Sequence, residues 1–208
     1  MRFKAPRTPR GYCQLKGVIT IKTWGTLKSE LLNLGFEKEA AYEKNKSRII
    51  EASNRAIIDI AQYAPVVKKY TVTQTEKTVY DLTELIPDLL FPKDEVYISD
   101  SSDVASWQRI SGERIEIDGE GSFDIYYAAV PTLITELTPD SEEIELSPQA
   151  SNLIPLLAAF YVWIDDDAQK AYAYQNMYDS AKTALMQMQA QRDKQLKARV
   201  NLRFPRWL

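Results

Sequence analysis

Between residues 39 and 64, apolar or small side chains recur at Ile49, Ser53, Ala56, Ile57, Ile60, Ala61 and Ala64. Steps of three and four place them on one stripe of a helix. The pattern predicts a long helix over about Glu39 to Ala64, stopped by Pro65. A shorter helix is predicted over Thr26 to Leu34, ended by Gly35. From Tyr70 the period changes to two. "YTVTQ" and "TVYDL" alternate, and "EVYIS", "SWQRI", "ERIEID", "SFDIYYA" and "EEIELS" follow at short intervals. Their Thr, Val, Ile and Tyr content suits strands. Ser111-Gly112 and "DGEG" (118 to 121) fall between strand patterns and read as hairpin turns. Phe123, Ile125 and Tyr127 share one face of their strand, opposite Asp124 and Tyr126.

Helical spacing returns at Ser147-Pro148, a capping residue followed by proline at the first helical position. Leu153 to Ile164 is apolar on every side and predicts a central buried helix, with Pro155 tolerable in its first turn or at a kink. After three aspartates, Ala171, Tyr174, Tyr178, Ala181, Leu185 and Met188 form a coiled-coil-like seam that fades beyond Met188. The expected class is α+β. Residues 23–66 and 147–191 would form a helical bundle, with residues 67–146 inserted as an antiparallel sheet or small sandwich of about five to seven strands. Residues 1–22, broken by Pro6, Pro9 and Gly11, would be an extended arm, and residues 192–208 a tail. "GVITIK" within the arm reads as a strand open to pairing with another chain.

The 208 residues suffice for a sizeable core. Net charge is −3, but it is unevenly spread. The arm carries Arg2, Lys4, Arg7 and Arg10 before Gly11, with no acid. The tail carries Arg192, Lys194, Lys197, Arg199, Arg203 and Arg206 against Asp193. Residues 12–191 hold 16 basic and 28 acidic groups. An acidic body with basic ends points to an electrostatic partner for those ends, nucleic acid or an acidic protein surface. The tail also ends in Phe204, Pro205, Trp207 and Leu208, and the arm contains Phe3. Trp beside Arg is a pairing enriched in binding hot spots.

The chain has no histidine and one cysteine, Cys13. Histidine-based catalysis, an internal disulfide and a cysteine zinc site are thereby removed. The lone cysteine fits a reducing cytoplasm. The longest apolar run, Leu153 to Ile164, is too short to span a bilayer, so no membrane partner is expected. The basic N-terminus has no apolar stretch behind it, as a secretory signal would. Asp165, Asp166 and Asp167 could hold a divalent cation. Neighbouring helical positions diverge by about 100°, so the stronger reading is a corner: one aspartate caps the next helix, and the others sit in its first turn. "SDSSD" (99 to 103) and "DGEG" match neither a calcium loop nor a phosphate loop and read as surface turns. Tyr172, Tyr174 and Tyr178 could stack bases, but at helical spacing they read as core or subunit interface. No catalytic residue, cofactor site or metal site is expected.

The order of these features resembles the head-to-tail adaptor (connector) proteins of tailed bacteriophages. The likeness is carried by "TLKSELLNLGF", "IIEASNRAIIDIAQYA" with its Asn54-x-Ala56 step, "TVYDL", "FDIYYAAVPTLI", and the long run from "IELSPQ" through "AAFYVWIDDDAQKAYAYQNMYDSAKTAL". It covers about residues 26 to 188. The resemblance implies a non-catalytic virion neck protein made in the bacterial host cytoplasm. It implies a ring of twelve copies, docked on the portal and joined to tail or neck proteins. DNA would pass through the lumen without sequence-specific contacts. Arg199, Arg203, Phe204, Pro205, Arg206, Trp207 and Leu208 are the candidate contacts to the portal or a neighbouring subunit. Arg2, Phe3, Lys4, Arg7 and Arg10 are candidates in the arm, whose role the family does not supply. The alternatives are a nucleic-acid-binding module using the basic ends, and a metal-dependent nuclease or phosphotransferase using the aspartates.

Overall fold

Thr23 sets the first helix: its Oγ1 accepts from the backbone N–H of Thr26 at 3.4 Å, and α1 spans Trp24–Asn33. The structure, a computed structural model, describes the backbone of residues 22–34 and 39–201, and the side chains of 22–34 and 42–191. Trp24, Leu27 and Leu31 form the buried face of α1. The second helix, α2 (Glu39–Ala61), buries the predicted stripe: Ile49, Ser53, Ala56, Ile57, Ile60 and Ala61 are each at most 1% exposed. Ser53, polar in that stripe, donates to the carbonyl of Ile49 at 2.8 Å, so its hydroxyl is satisfied inside the helix.

Beyond Pro65 six strands form two three-stranded antiparallel sheets. In the first, β6 (Gly121–Ala129) lies between β1 (Val66–Gln74) and β3 (Leu89–Ile98). In the second, β5 (Arg114–Ile117) lies between β2 (Thr78–Asp81) and β4 (Trp107–Ser111). A one-turn helix, α3 (Leu82–Leu85), follows β2 and is capped by Asp81. Val72, Val96, Phe123, Ile125 and Tyr127 from the first sheet meet Ile115 and Ile117 from the second, with Leu82 and Ile86, in one apolar cluster. This is the small sandwich that the alternation predicts.

Two of the expected details differ. Ser111-Gly112 does join paired strands, but "DGEG" does not. It carries the chain from β5 in one sheet to β6 in the other, so it is a crossover between layers. Gly119 and Gly121 take φ values of 101° and 134° there, a region that L side chains rarely adopt. The buried Gln74 holds this crossover by donating to the carbonyls of Ile117 and Gly119. "EEIELS" is not a strand either. Among the described residues it makes a single bridge, Glu143 opposite Thr23, while Ile144 and Leu146 turn inward to the helical core.

The C-terminal helices close the bundle. Ser147 caps α4 (Pro148–Ser151), and α5 (Ile154–Trp163) follows with Pro155 in its first turn. No residue of α5 is exposed, and it packs against α1, α2 and α6 (Ala168–Asn201). The fold is thus α+β. The seam on α6 is shorter than its spacing predicts: Ala171, Tyr178 and Leu185 are buried, but Met188 is 50% exposed. The helix itself is longer. It continues through residues 192–201, which the sequence assigns to an extended tail. No helix among the described residues is long and apolar enough to cross a membrane.

Candidate interaction surfaces

The link from β6 to α4, residues 130–146, is tied down along its length. Asn54, on the flank of α2, accepts from the Ile134 N–H and donates to the Ile134 carbonyl, both at 2.8 Å. Its amide thereby pairs with a peptide unit as a neighbouring strand would. Further on, Gly25 N–H donates to the Asp140 carbonyl at 2.9 Å, and a Cβ at position 25 would lie 2.9 Å from the Asp140 Cβ. The glycine inside α1 is required by this approach. Lys28 pairs with Asp140 at 2.8 Å. Trp24 N–H donates to the Glu142 carbonyl, and Ile144 N–H to the Lys22 carbonyl. Thr132 N–H donates to the Glu145 carboxylate at 2.7 Å.

So fixed, the link encloses a half-open groove of about 250 Å³ whose apolar lining includes Leu133, Leu137, Pro139 and Ile144. Leu137 is 93% exposed. Glu136, Glu142 and Glu143 are exposed beside it and form no ion pair among the described residues. An apolar floor with a carboxylate rim suits a segment that is both apolar and basic. None of these residues stands out in the sequence as a site. The signal present was acids at 136, 140, 142, 143 and 145 interleaved with Leu137, Pro139 and Ile144.

The aspartate corner behaves as a corner. Asp167 Oδ1 accepts from the Lys170 N–H at 3.0 Å and so caps α6. Asp166 pairs with Arg48 at 2.6 Å, joining the corner to α2. Asp165 and Asp166 precede the cap; the expectation that they sit in the first turn is corrected. All three are exposed. Beside them Arg48, Glu51, Arg55, Tyr161 and Asp165 line a polar cleft of about 260 Å³. Its cations are engaged: Arg48 also donates to the Val162 carbonyl, and Arg55 lies 4.2 Å over the Tyr161 ring. Burial, then the hydrogen bond Tyr161 donates to Asp59, pushes that phenol up to about 12.

The tyrosines divide. Tyr178 is buried with its hydroxyl 3.1 Å from that of Tyr63, and Tyr174 donates to the carbonyl of Leu34. Both tie α6 to the helices beneath it. Tyr172 is 55% exposed and stands off the seam.

One buried carboxylate was not foreseen. Asp124 lies on the face of β6 opposite Phe123 and Ile125, as alternation requires, yet is only 5% exposed. Lys69, Thr71 and Ser99 donate to it at 2.8, 2.6 and 2.9 Å. The Lys69 hydrogen bond foremost, then that from Thr71, holds its pKa down at about 2. A carboxylate so saturated is a cross-strand clasp between β1, β6 and the end of β3.

Of the sequence-predicted contact residues, Arg199 lies in the last turns of α6, where the backbone alone is described. Arg203, Phe204, Pro205, Arg206, Trp207 and Leu208 lie outside the described residues, as do Arg2, Phe3, Lys4, Arg7 and Arg10. Beyond Leu185 no described side chain of α6 belongs to the core, and Met186 and Met188 are half exposed. The stretch from there to Asn201 is about 24 Å long at 1.5 Å per residue. Compared with known proteins, the chain matches no family model and no curated protein.

Proposed function

We propose that the protein is a structural head-to-tail adaptor of a tailed phage. Copies of it would form a ring that docks on the portal and joins it to tail or neck proteins around the DNA channel. The observation that carries the reading is the overrun of α6. The helix continues to Asn201, and over residues 186–191 no described side chain belongs to the core, so that stretch gains little from its described neighbours in the same chain. Helical segments of about 12–15 residues are marginal in water unless another surface covers them. Such a projection suits a subunit whose helix is completed by assembly. The order of elements supports the same reading: two helices, a β unit, then an apolar helix turning through an acidic corner into a tyrosine-rich one.

Electron microscopy of the protein mixed with its candidate portal tests the proposal, with a ring seated on the portal as the expected result. Deleting residues 202–208, which removes Phe204 and Trp207, should weaken portal binding on the order of a hundredfold. Melting should be unchanged, because among the described residues the last core position of α6 is Leu185. Undiminished portal binding by the truncated chain would remove the tail from the interface. DNA binding that falls steeply with salt, without any ring, would favour the nucleic-acid module instead.

A further inference from the structure

We propose that the groove of residues 130–146 is the seat of this chain's own N-terminal arm, residues 1–21. The inference does not depend on the adaptor reading. It starts from where the arm enters. The Lys22 carbonyl accepts from Ile144 N–H at 2.9 Å, Trp24 N–H donates to Glu142 at 2.8 Å, and Thr23 stands antiparallel to Glu143. Glu142, Glu143 and Ile144 line the groove. The arm therefore begins on the groove's own wall.

The chemistry of the two parts is complementary. The arm holds Arg2, Lys4, Arg7, Arg10 and Lys16 and no acid, and its last residues include Val18, Ile19 and Ile21. The groove offers Leu133 and Leu137 as exposed apolar surface, with Glu142 and Glu143 in its lining. Five extended residues reach about 17 Å. The 21 residues of the arm are therefore ample to contact a surface that Lys22 already touches. The Asn54–Ile134 pairing and the Asp140 contacts hold the receiving surface in place before the arm arrives. The tether keeps the arm at an effective concentration in the millimolar range, so modest contacts suffice. The arm is favoured over the other basic end because it adjoins Lys22 at the groove wall, whereas α6 carries the chain on from Leu185 to Asn201 before the other end begins.

Cys13 is the chain's one cysteine and lies within the arm, so a nitroxide attached there reports the arm's position in the full-length protein. The amide signals of Leu133 to Thr138 should lose most of their intensity, and the loss should persist on dilution. Leu137→Asp, at a site outside the core, and Glu143→Lys should each restore those signals. Broadening that both variants leave unchanged would mean that the tether alone brings the label near, and would overturn the proposal. So would an absence of broadening. Broadening of equal extent when spin-labelled chains without isotope are mixed with isotope-labelled chains lacking the nitroxide would assign the groove to a second copy and overturn it equally.

Discussion

Asn54 shows how much one polar side chain can organise. It sits on a helix that is otherwise read by its apolar stripe, and its amide satisfies both groups of the Ile134 peptide. Replacing it with alanine leaves a buried N–H and C=O unpaired, since Ile134 is 4% exposed. Asn54→Ala should cost about 1–3 kcal/mol, read as a lower urea midpoint with an unchanged slope. Asp124 makes a prediction in pH. Its folded pKa is depressed to about 2, so its contribution is present above the unfolded value of about 4 and lost as pH falls through the folded one. Asp124→Asn should therefore be less stable than wild type at pH 7, and the gap should narrow between about pH 4 and pH 2. A gap of constant size down to pH 2 would assign the effect to packing. Asp81 and Glu116 are also depressed, so the variant removes only part of the acid sensitivity.

At the scale of elements, the join between α5 and α6 separates cap from charge. Asp167→Ala should cost about 0.5–2 kcal/mol, because it frees an N–H in the first turn of α6. Asp166→Asn should cost about 1 kcal/mol or less, since both partners of the Arg48 pair are more than a third exposed. Millimolar magnesium or calcium should leave the melting temperature of wild type where it is. A rise abolished by Asp166→Asn would show that the corner binds the ion. The other elements follow a common logic. A helix stripe or a strand alternation was legible wherever one face met a core built from the same chain. Met188 fits the spacing of the α6 seam, but its main partner α5 is only ten residues long, Ile154–Trp163, and Met188 is left 50% exposed. Periodicity reports what a helix could bury, and the length of its partner decides what it does bury.

At the scale of the whole molecule, charge is the organising feature. An acidic body between basic ends should assemble through contacts that salt weakens, because the Debye length falls from about 10 Å at 0.1 M to about 3 Å at 1 M. Ring or portal complexes, followed by sedimentation across that range, should dissociate at the high end. Complexes indifferent to salt would place the α6 projection and its methionines, not charge, at the centre of assembly. The two apolar clusters, one helical and one between the sheets, are joined by polar contacts: Lys68 on β1 reaches both Asp88, at 3.1 Å, and Glu145, at 3.8 Å. Tyr127 donates to the same Asp88 at 2.9 Å.

The class of the fold, the approximate places of α1, α2, α5 and the start of α6, the stripe of α2 and the switch to strands after Pro65 were determined by sequence alone. Each depends on the spacing of side chains along a short piece of backbone, and spacing is local. The division of six strands into two sheets was not. "DGEG" reads like a hairpin because glycine permits the turn, but which strand lies beside β5 depends on residues some thirty positions away. "EEIELS" alternates like a strand, yet its neighbours across the chain are α1 and the helical core, so only Glu143 finds an extended partner. The burial of Asp124, the need for glycine at position 25 and the groove under Leu137 were likewise decided by tertiary structure, because each requires two segments distant in sequence to approach within hydrogen-bonding or van der Waals range.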